Sequence, residues 1–236
     1  MTTTVLNAIF TIVTTLLVSA IYFRVQAKCR KSGKQGRRTG IILRYLGRKT
    51  SGFLILGFIP GILSWVVFGQ DPLFVGLAAA NTLKMIPWLS IAATGLIILN
   101  LFNSRDKRLQ QHYPELRLER WNLPAVLALV SGWIIYLTGY EFLFRGLLLK
   151  NCIDAFGLWP AVAINLLVYF TLHLRKGIKE ALATIPFGAI VIYLTIECQS
   201  IIPAILLHSI QAVSFEIFCI LRKQHHNFKY LIIKEI

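Results

Sequence analysis

At 236 residues, with 56% hydrophobic and 15% charged residues, the chain is too apolar for a water-soluble domain, which would carry roughly a quarter charged residues. A net charge of +15 would suit nucleic acid, but the basic residues are gathered into a few short loops, and that placement points to lipid headgroups instead. The four cysteines, Cys29, Cys152, Cys198 and Cys219, stand singly, so neither a zinc knuckle nor a redox pair is indicated.

Residues 2–23 carry no charge, and neither do 50–70, 85–104 and 121–140. Shorter charge-free runs cover 155–172 and 181–196, and 198–221 is interrupted only by His208 and Glu216. About 20 apolar residues cross a ~30 Å hydrocarbon layer as a helix, since only a helix satisfies its own backbone there. The pattern predicts an all-α, polytopic bundle of seven spans. The first run lacks the basic start and small-residue cleavage site of a secretory signal, so it is expected to be a true membrane helix.

Ten Lys or Arg residues and no acid lie between Arg24 and Lys49, five basic residues lie in 105–120, three in 175–179 and four in 222–236. With seven spans all four basic segments fall on one side. The positive-inside rule then places the N-terminus outside and the C-terminus in the cytoplasm of a multi-pass cell-membrane protein. Three regions follow: an N-terminal three-helix part over 1–120 with its basic loop 24–49, a core over 121–221, and a basic tail over 222–236.

Ionisable groups inside spans are the informative residues, because each charge costs about 2.5–3.5 kcal/mol at the bilayer centre. Glu141 and Arg145 follow an apolar run and stand four apart, a spacing that lets them pair on one helix face. His173 ends the fifth apolar run and His208 lies within the seventh. With a turn near Phe156-Gly157, Glu141 and His173 fall at similar depth on adjacent antiparallel helices, about 22–26 Å from the turn. They are expected to be neighbours, with His208 reaching them by helix tilt. A carboxylate beside a histidine in a dry cavity can activate water, with Arg145 orienting and charging Glu141. The bland readings are a structural Glu/Arg brace and hydrogen-bonding histidines. Glu216, two turns beyond His208 on the same face, reads as a snorkelling helix-end acid before one lining the cytoplasmic mouth of the cavity, Glu197 and Asp154 as outer-end acids, His225 and His226 as solvated tail residues, and the five tryptophans mostly as an interfacial belt.

The run Glu141-Phe-Leu-Phe-Arg145-Gly-Leu-Leu-Leu149 resembles the first motif, Glu-Glu-x-x-x-Arg, of the CAAX-protease and bacteriocin-processing family of intramembrane proteases, also called CPBP or Abi. Tyr169-x-x-x-His173 resembles its second motif, Phe-x-x-x-His. Ser200-Ile201-Ile202-Pro203 leading into His208 resembles the approach to its third, His-x-x-x-Asn. Lys179-Glu180 and Pro186-Phe187-Gly188 resemble the connecting stretch, so the likeness covers about residues 121–221. Two positions depart: Tyr140 stands where the family has its first glutamate, and Ala212 where it has the asparagine. The resemblance implies a bacterial-type endopeptidase that hydrolyses a peptide bond in a membrane-associated or prenylated substrate. Glu141 and His173 would activate water, His208 would hold the oxyanion, and Gln211, on the same helical face, would supply the missing amide. No cofactor is expected. If a metal were bound it would be zinc on Glu141, His173 and His208, although no His-Glu-x-x-His pattern is present. Two other classes are carried forward. One is a catalytically silent relative acting in bacteriocin immunity or as a scaffold, favoured by Tyr140 and Ala212. The other is a small transporter, which would show broken helices in matching halves.

Overall fold

The computed structural model describes residues 2–31, 37–71 and 86–234. They form α1 (Thr3–Lys31), α2 (Arg38–Phe53), α3 (Ile59–Phe68), α4 (Ile86–Asn103), the short α5 (Lys107–His112), α6 (Leu123–Glu141), α7 (Leu149–Phe156), α8 (Leu158–His173), α9 (Ile178–Cys198) and α10 (Ile202–Lys234). No strand occurs among the described residues. The wider π-helical stretches Leu54–Phe58 and Phe142–Leu148 join α2 to α3 and α6 to α7 without a break. The second and fourth spans therefore run continuously over Arg38–Phe68 and Leu123–Phe156. Seven helical stretches of the described residues are long and apolar enough to cross a membrane. Of the tail, the side chains of His225 and His226 lie outside the described residues.

Local chemistry sets the boundaries. Asn122 caps α6 by accepting from Ala125 N at 3.1 Å, with Pro124 in the first turn where its missing N–H costs nothing. Pro60 has no N–H for the carbonyl four residues back, and the π-helical widening lies immediately before it. Gly69 and Gly157 adopt positive φ (66° and 83°) after α3 and α7, a backbone that side chains with a Cβ rarely tolerate.

Packing between spans relies on close backbone approach, because lipid tails are as apolar as leucine and hydrophobicity alone cannot drive helices together. A Cβ on Gly57 would lie 2.6 Å from Gly139 Cα, and one on Gly132 would lie 2.5 Å from the Tyr45 ring. These glycines bring α2 and its π-helical extension against α6. Tyr45 then donates to Leu129 O at 3.0 Å. The other main contacts pair α8 with α9, α4 with α10, α1 with α7, and α6 with α10. Large apolar side chains such as Val66, Trp88, Ile91, Leu127, Trp159 and Leu167 point outward, which a hydrocarbon surround accommodates and water would not.

Candidate active site

Three spans bring the intramembrane polar residues together. Glu141 is the last residue of α6, Arg145 lies in the π-helical stretch that follows, His208 sits two turns into α10, and His173 closes α8. Glu141 and Arg145 are buried, at 0% and 2% exposure. His208 Nδ1 stands 2.5 Å from Glu141 Oε1, and Arg145 Nε stands 3.3 Å from Oε2. With a carboxylate as acceptor, Nδ1 is the donor, so the Nε2 of His208 remains free for other chemistry. The Arg145 guanidinium lies over the rings of Tyr169 (4.8 Å) and Phe144 (5.7 Å), which offset part of its burial.

α8 packs against the fourth span through α7 and carries His173 at its end. The His173 Nδ1 is 3.0 Å from Tyr169 O, a bond in which the ring nitrogen donates and Nε2 is again left free. Among the described residues no hydrogen bond or ion pair joins it to Glu141. α8 lies along α7 and α9, while α6 lies along α10 and α2, which sets His208 directly against the Glu141 carboxylate. Aromatic rings bridge the interval. His208 meets Tyr140 edge-on at 5.6 Å, Tyr140 meets Tyr169 at 6.1 Å, and Tyr169 meets His173 at 4.6 Å. The Tyr140 ring is also stacked on Phe144 at 4.4 Å. Tyr140 Oη, Glu141 Oε2, the Arg145 nitrogens and Asn165 Oδ1 are buried with no hydrogen-bonding partner among the described residues. Such atoms are costly unless a water or a substrate polar group meets them.

Gln211 lies on α10 three residues past His208. Among the described residues its side chain makes no hydrogen bond to His208. Its backbone carbonyl instead accepts from Asn100 Nδ2 at 2.7 Å, and the same amide donates to Ser214 Oγ at 2.9 Å. Asn100, which sequence reasoning passed over, thus ties the lone span α4 to α10. Asn165 was also passed over. Fully buried on α8, it donates to Phe144 O at 2.7 Å, in the middle of the π-helical stretch between Glu141 and Arg145. An asparagine inside an otherwise apolar run was the available signal for both.

A three-ligand zinc centre here would draw on Glu141, His173 and His208. Glu141 already engages His208 through one oxygen and faces the Arg145 cation through the other. Among the described residues no group of three His, Cys, Asp or Glu side chains has metal-holding geometry. The arrangement does not fit a three-ligand zinc site, because a fixed cation stands beside the carboxylate a metal would need.

A second polar cluster lies toward the basic end of the bundle and corrects the reading of Glu216. That side chain is buried rather than snorkelling: its two oxygens accept from Glu115 N at 3.1 and 3.0 Å, and Oε1 accepts from Trp133 Nε1 at 3.3 Å. Trp133 is accordingly a buried mid-helix residue and not part of a belt. Lys49 Nζ pairs with Glu115 Oε2 at 3.0 Å and lies 3.0 Å from the centre of a Trp133 ring. Burial pushes the Glu115 carboxyl up, but Lys49, with Lys176 and Arg48 behind it, outweighs this and holds it below the usual carboxylate range. Asp154 makes an exposed i,i+4 pair with Lys150 at 2.8 Å, worth little energetically. An apolar groove of about 380 Å³ between α6 and α10, with Val130, Ile134, Leu206 and Val213 among its lining, includes none of the Glu141 cluster.

Residues 121–214 match the sequence model of the Rce1-like family, described as type II CAAX prenyl endopeptidase Rce1-like. No curated protein and no solved structure matches the chain. The matched segment contains Glu141, Arg145, His173 and His208.

Proposed function

We propose that this chain, whose residues 121–214 are Rce1-like, hydrolyses a peptide bond in a prenylated or otherwise membrane-associated substrate, using water activated at the Glu141 cluster. The observation that carries the reading is the buried Glu141–His208 bond, backed by Arg145, inside the segment the protease family shares. Glu141 fixes the tautomer of His208 and compensates its charge once protonated, as the acid of a carboxylate–imidazole pair does. Water gives its proton to His208 Nε2 while its oxygen bonds to the substrate carbonyl carbon. His173 Nε2 accepts the second O–H of the same water, which fits the commitment of its Nδ1 to Tyr169 O. The positive guanidinium of Arg145 offsets the negative charge that develops on the carbonyl oxygen. The C–N bond then breaks, the imidazolium proton passes to the leaving amine, and an acid and an amine result. The basic loops would face the cytoplasm, as positive residues do beside anionic headgroups.

The test is cleavage of a fluorogenic farnesylated peptide ending in a CAAX sequence by purified protein in nanodiscs. Wild type should release product, and Glu141→Gln and His208→Ala should each lose at least about a hundredfold in rate, the usual scale for acid–base groups. Equal rates in all three would sink the proposal.

A second reading, a silent relative that binds a partner, is favoured by one observation. The Tyr140 ring occupies the interval between His208 and Tyr169, where the family pattern has a glutamate. The same assay separates the readings, since a silent protein cleaves nothing in any variant.

A further inference from the structure

The loop between α5 and α6 folds back into the bundle at the basic end. Within it, Tyr113–Leu116 makes four kinds of contact. The Tyr113 ring meets Phe215 edge-on at 5.0 Å, and its hydroxyl accepts from Lys176, three residues past His173, at 3.3 Å. Its carbonyl accepts from Lys223 at 2.7 Å. The Glu115 N–H is held by both oxygens of Glu216, and its carboxylate by Lys49. Leu116 is 1% exposed, while the Glu115 side chain remains about a third exposed, so the outer edge of the segment faces solvent.

The position is as telling as the contacts. Glu141 meets His208, and Trp133 meets Glu216, in one antiparallel seam between α6 and α10. Each helix advances eight residues between the two contacts, which is about 12 Å at 1.5 Å per residue. Ala212 lies midway on α10, one turn from His208 and one from Glu216. On the α8 side, Lys176 holds Tyr113 one turn beyond His173. The segment therefore stands on the basic-end side of both histidines, between them and solvent.

We propose that Lys49, Trp133 and Glu216 form a peptide-binding notch on the basic-end approach to His208 and His173, and that Tyr113–Leu116 fills it in cis as a displaceable strap. The groups that hold the strap recognise features any extended chain can offer. Glu216 takes a backbone N–H, Lys49 takes a carboxylate, and the Leu116 position takes an apolar side chain. A strap alone would need only apolar burial. A buried ammonium and a buried carboxylate are expensive without partners, so the notch selects for an occupant that carries an anionic group beside an apolar one. An extended chain covers 12 Å in about four residues. Resting on the hydrolase reading for its register, the notch thus engages the substrate three or four residues from the bond held at Glu141 and His208.

The experiment reads accessibility and needs no hydrolysis, so it stands apart from the Glu141→Gln assay. Ala212→Cys is placed in a protein whose four native cysteines are replaced by alanine, and its labelling by a water-soluble maleimide is timed in nanodiscs. With the native strap labelling should be slow. Glu115→Ala with Leu116→Ala should accelerate it at least tenfold, and the milder Glu115→Gln severalfold in a protein that retains the Leu116 anchor. Millimolar acetyl-Tyr-Pro-Glu-Leu-amide should slow the strap variants again, whereas acetyl-Tyr-Pro-Gln-Leu-amide should not. Unchanged labelling in both strap variants would overturn the strap. Equal effects of the two peptides would overturn the notch.

Discussion

His208 Nδ1 and Glu141 Oε1 are 2.5 Å apart across 67 residues of sequence, and among the described residues the Arg145 guanidinium pairs with no other carboxylate. Neutralising Glu141 therefore removes two things at once, the partner of an imidazole and the counter-charge of a buried cation. Glu141→Gln should cost about 3–5 kcal/mol of stability, the usual consequence of breaking a buried ion pair. The double variant Glu141→Gln/Arg145→Met should recover most of that in thermal unfolding, yet still fail to hydrolyse substrate. A double variant that cleaves at the wild-type rate would remove Glu141 from the mechanism.

The α2–α6 crossing depends on glycine at the point where the two backbones come closest. A Cβ at Gly139 would meet Phe53 Cα at 2.8 Å and Phe53 O at 2.9 Å, both backbone atoms that cannot swing aside. Gly139→Ala should destabilise by at least about 1–3 kcal/mol, the scale of overpacking. Because Glu141 lies two residues further on, hydrolysis should fall as well. Gly95→Ala, where nothing among the described residues lies within 4 Å of the added carbon, is the matched control and should leave the melting temperature within a degree or two.

Asn165 latches the π-helical stretch through Phe144 O. Replacing it with leucine removes the donor at nearly constant volume. The expected loss is about 1–3 kcal/mol, with faster hydrogen exchange concentrated in Phe142–Leu148. Exchange that rises uniformly over the bundle would show that Asn165 does not hold this stretch in particular.

The strap gives the fold an acid-sensitive contact. Glu115 binds its proton more weakly when folded than when unfolded, because Lys49 holds its carboxyl down. Its contribution is full above the ordinary carboxylate range and fades as pH falls through that range to the depressed folded value. Melting temperature measured from about pH 6 to 3 should decline along this limb. Lys49→Met should flatten it, since Glu115 then loses the charge that depresses it. A slope unchanged by Lys49→Met would assign the acid limb to other carboxylates.

Much of this protein is written in its sequence. Charge-free runs of near membrane length and four basic segments on one side determine an all-helical polytopic chain, because a bilayer admits no other backbone for such runs. Glu141, Arg145, His173 and His208 stand out for the same reason: a charge in hydrocarbon must have a use or a partner. The sequence could not say which helix lies against which. Depth arithmetic set Glu141 and His173 on adjacent helices and left His208 to helix tilt, whereas in the structure it is His208 that bonds Glu141 directly. Nor could it join Lys49, Glu115 and Glu216, three charges scattered over three segments, into one buried cluster. Periodicity fixes what each residue needs, whereas the partner that meets the need is chosen by close backbone approach at glycines such as Gly57 and Gly139. That choice is a property of packing between distant segments, and only the tertiary structure makes it.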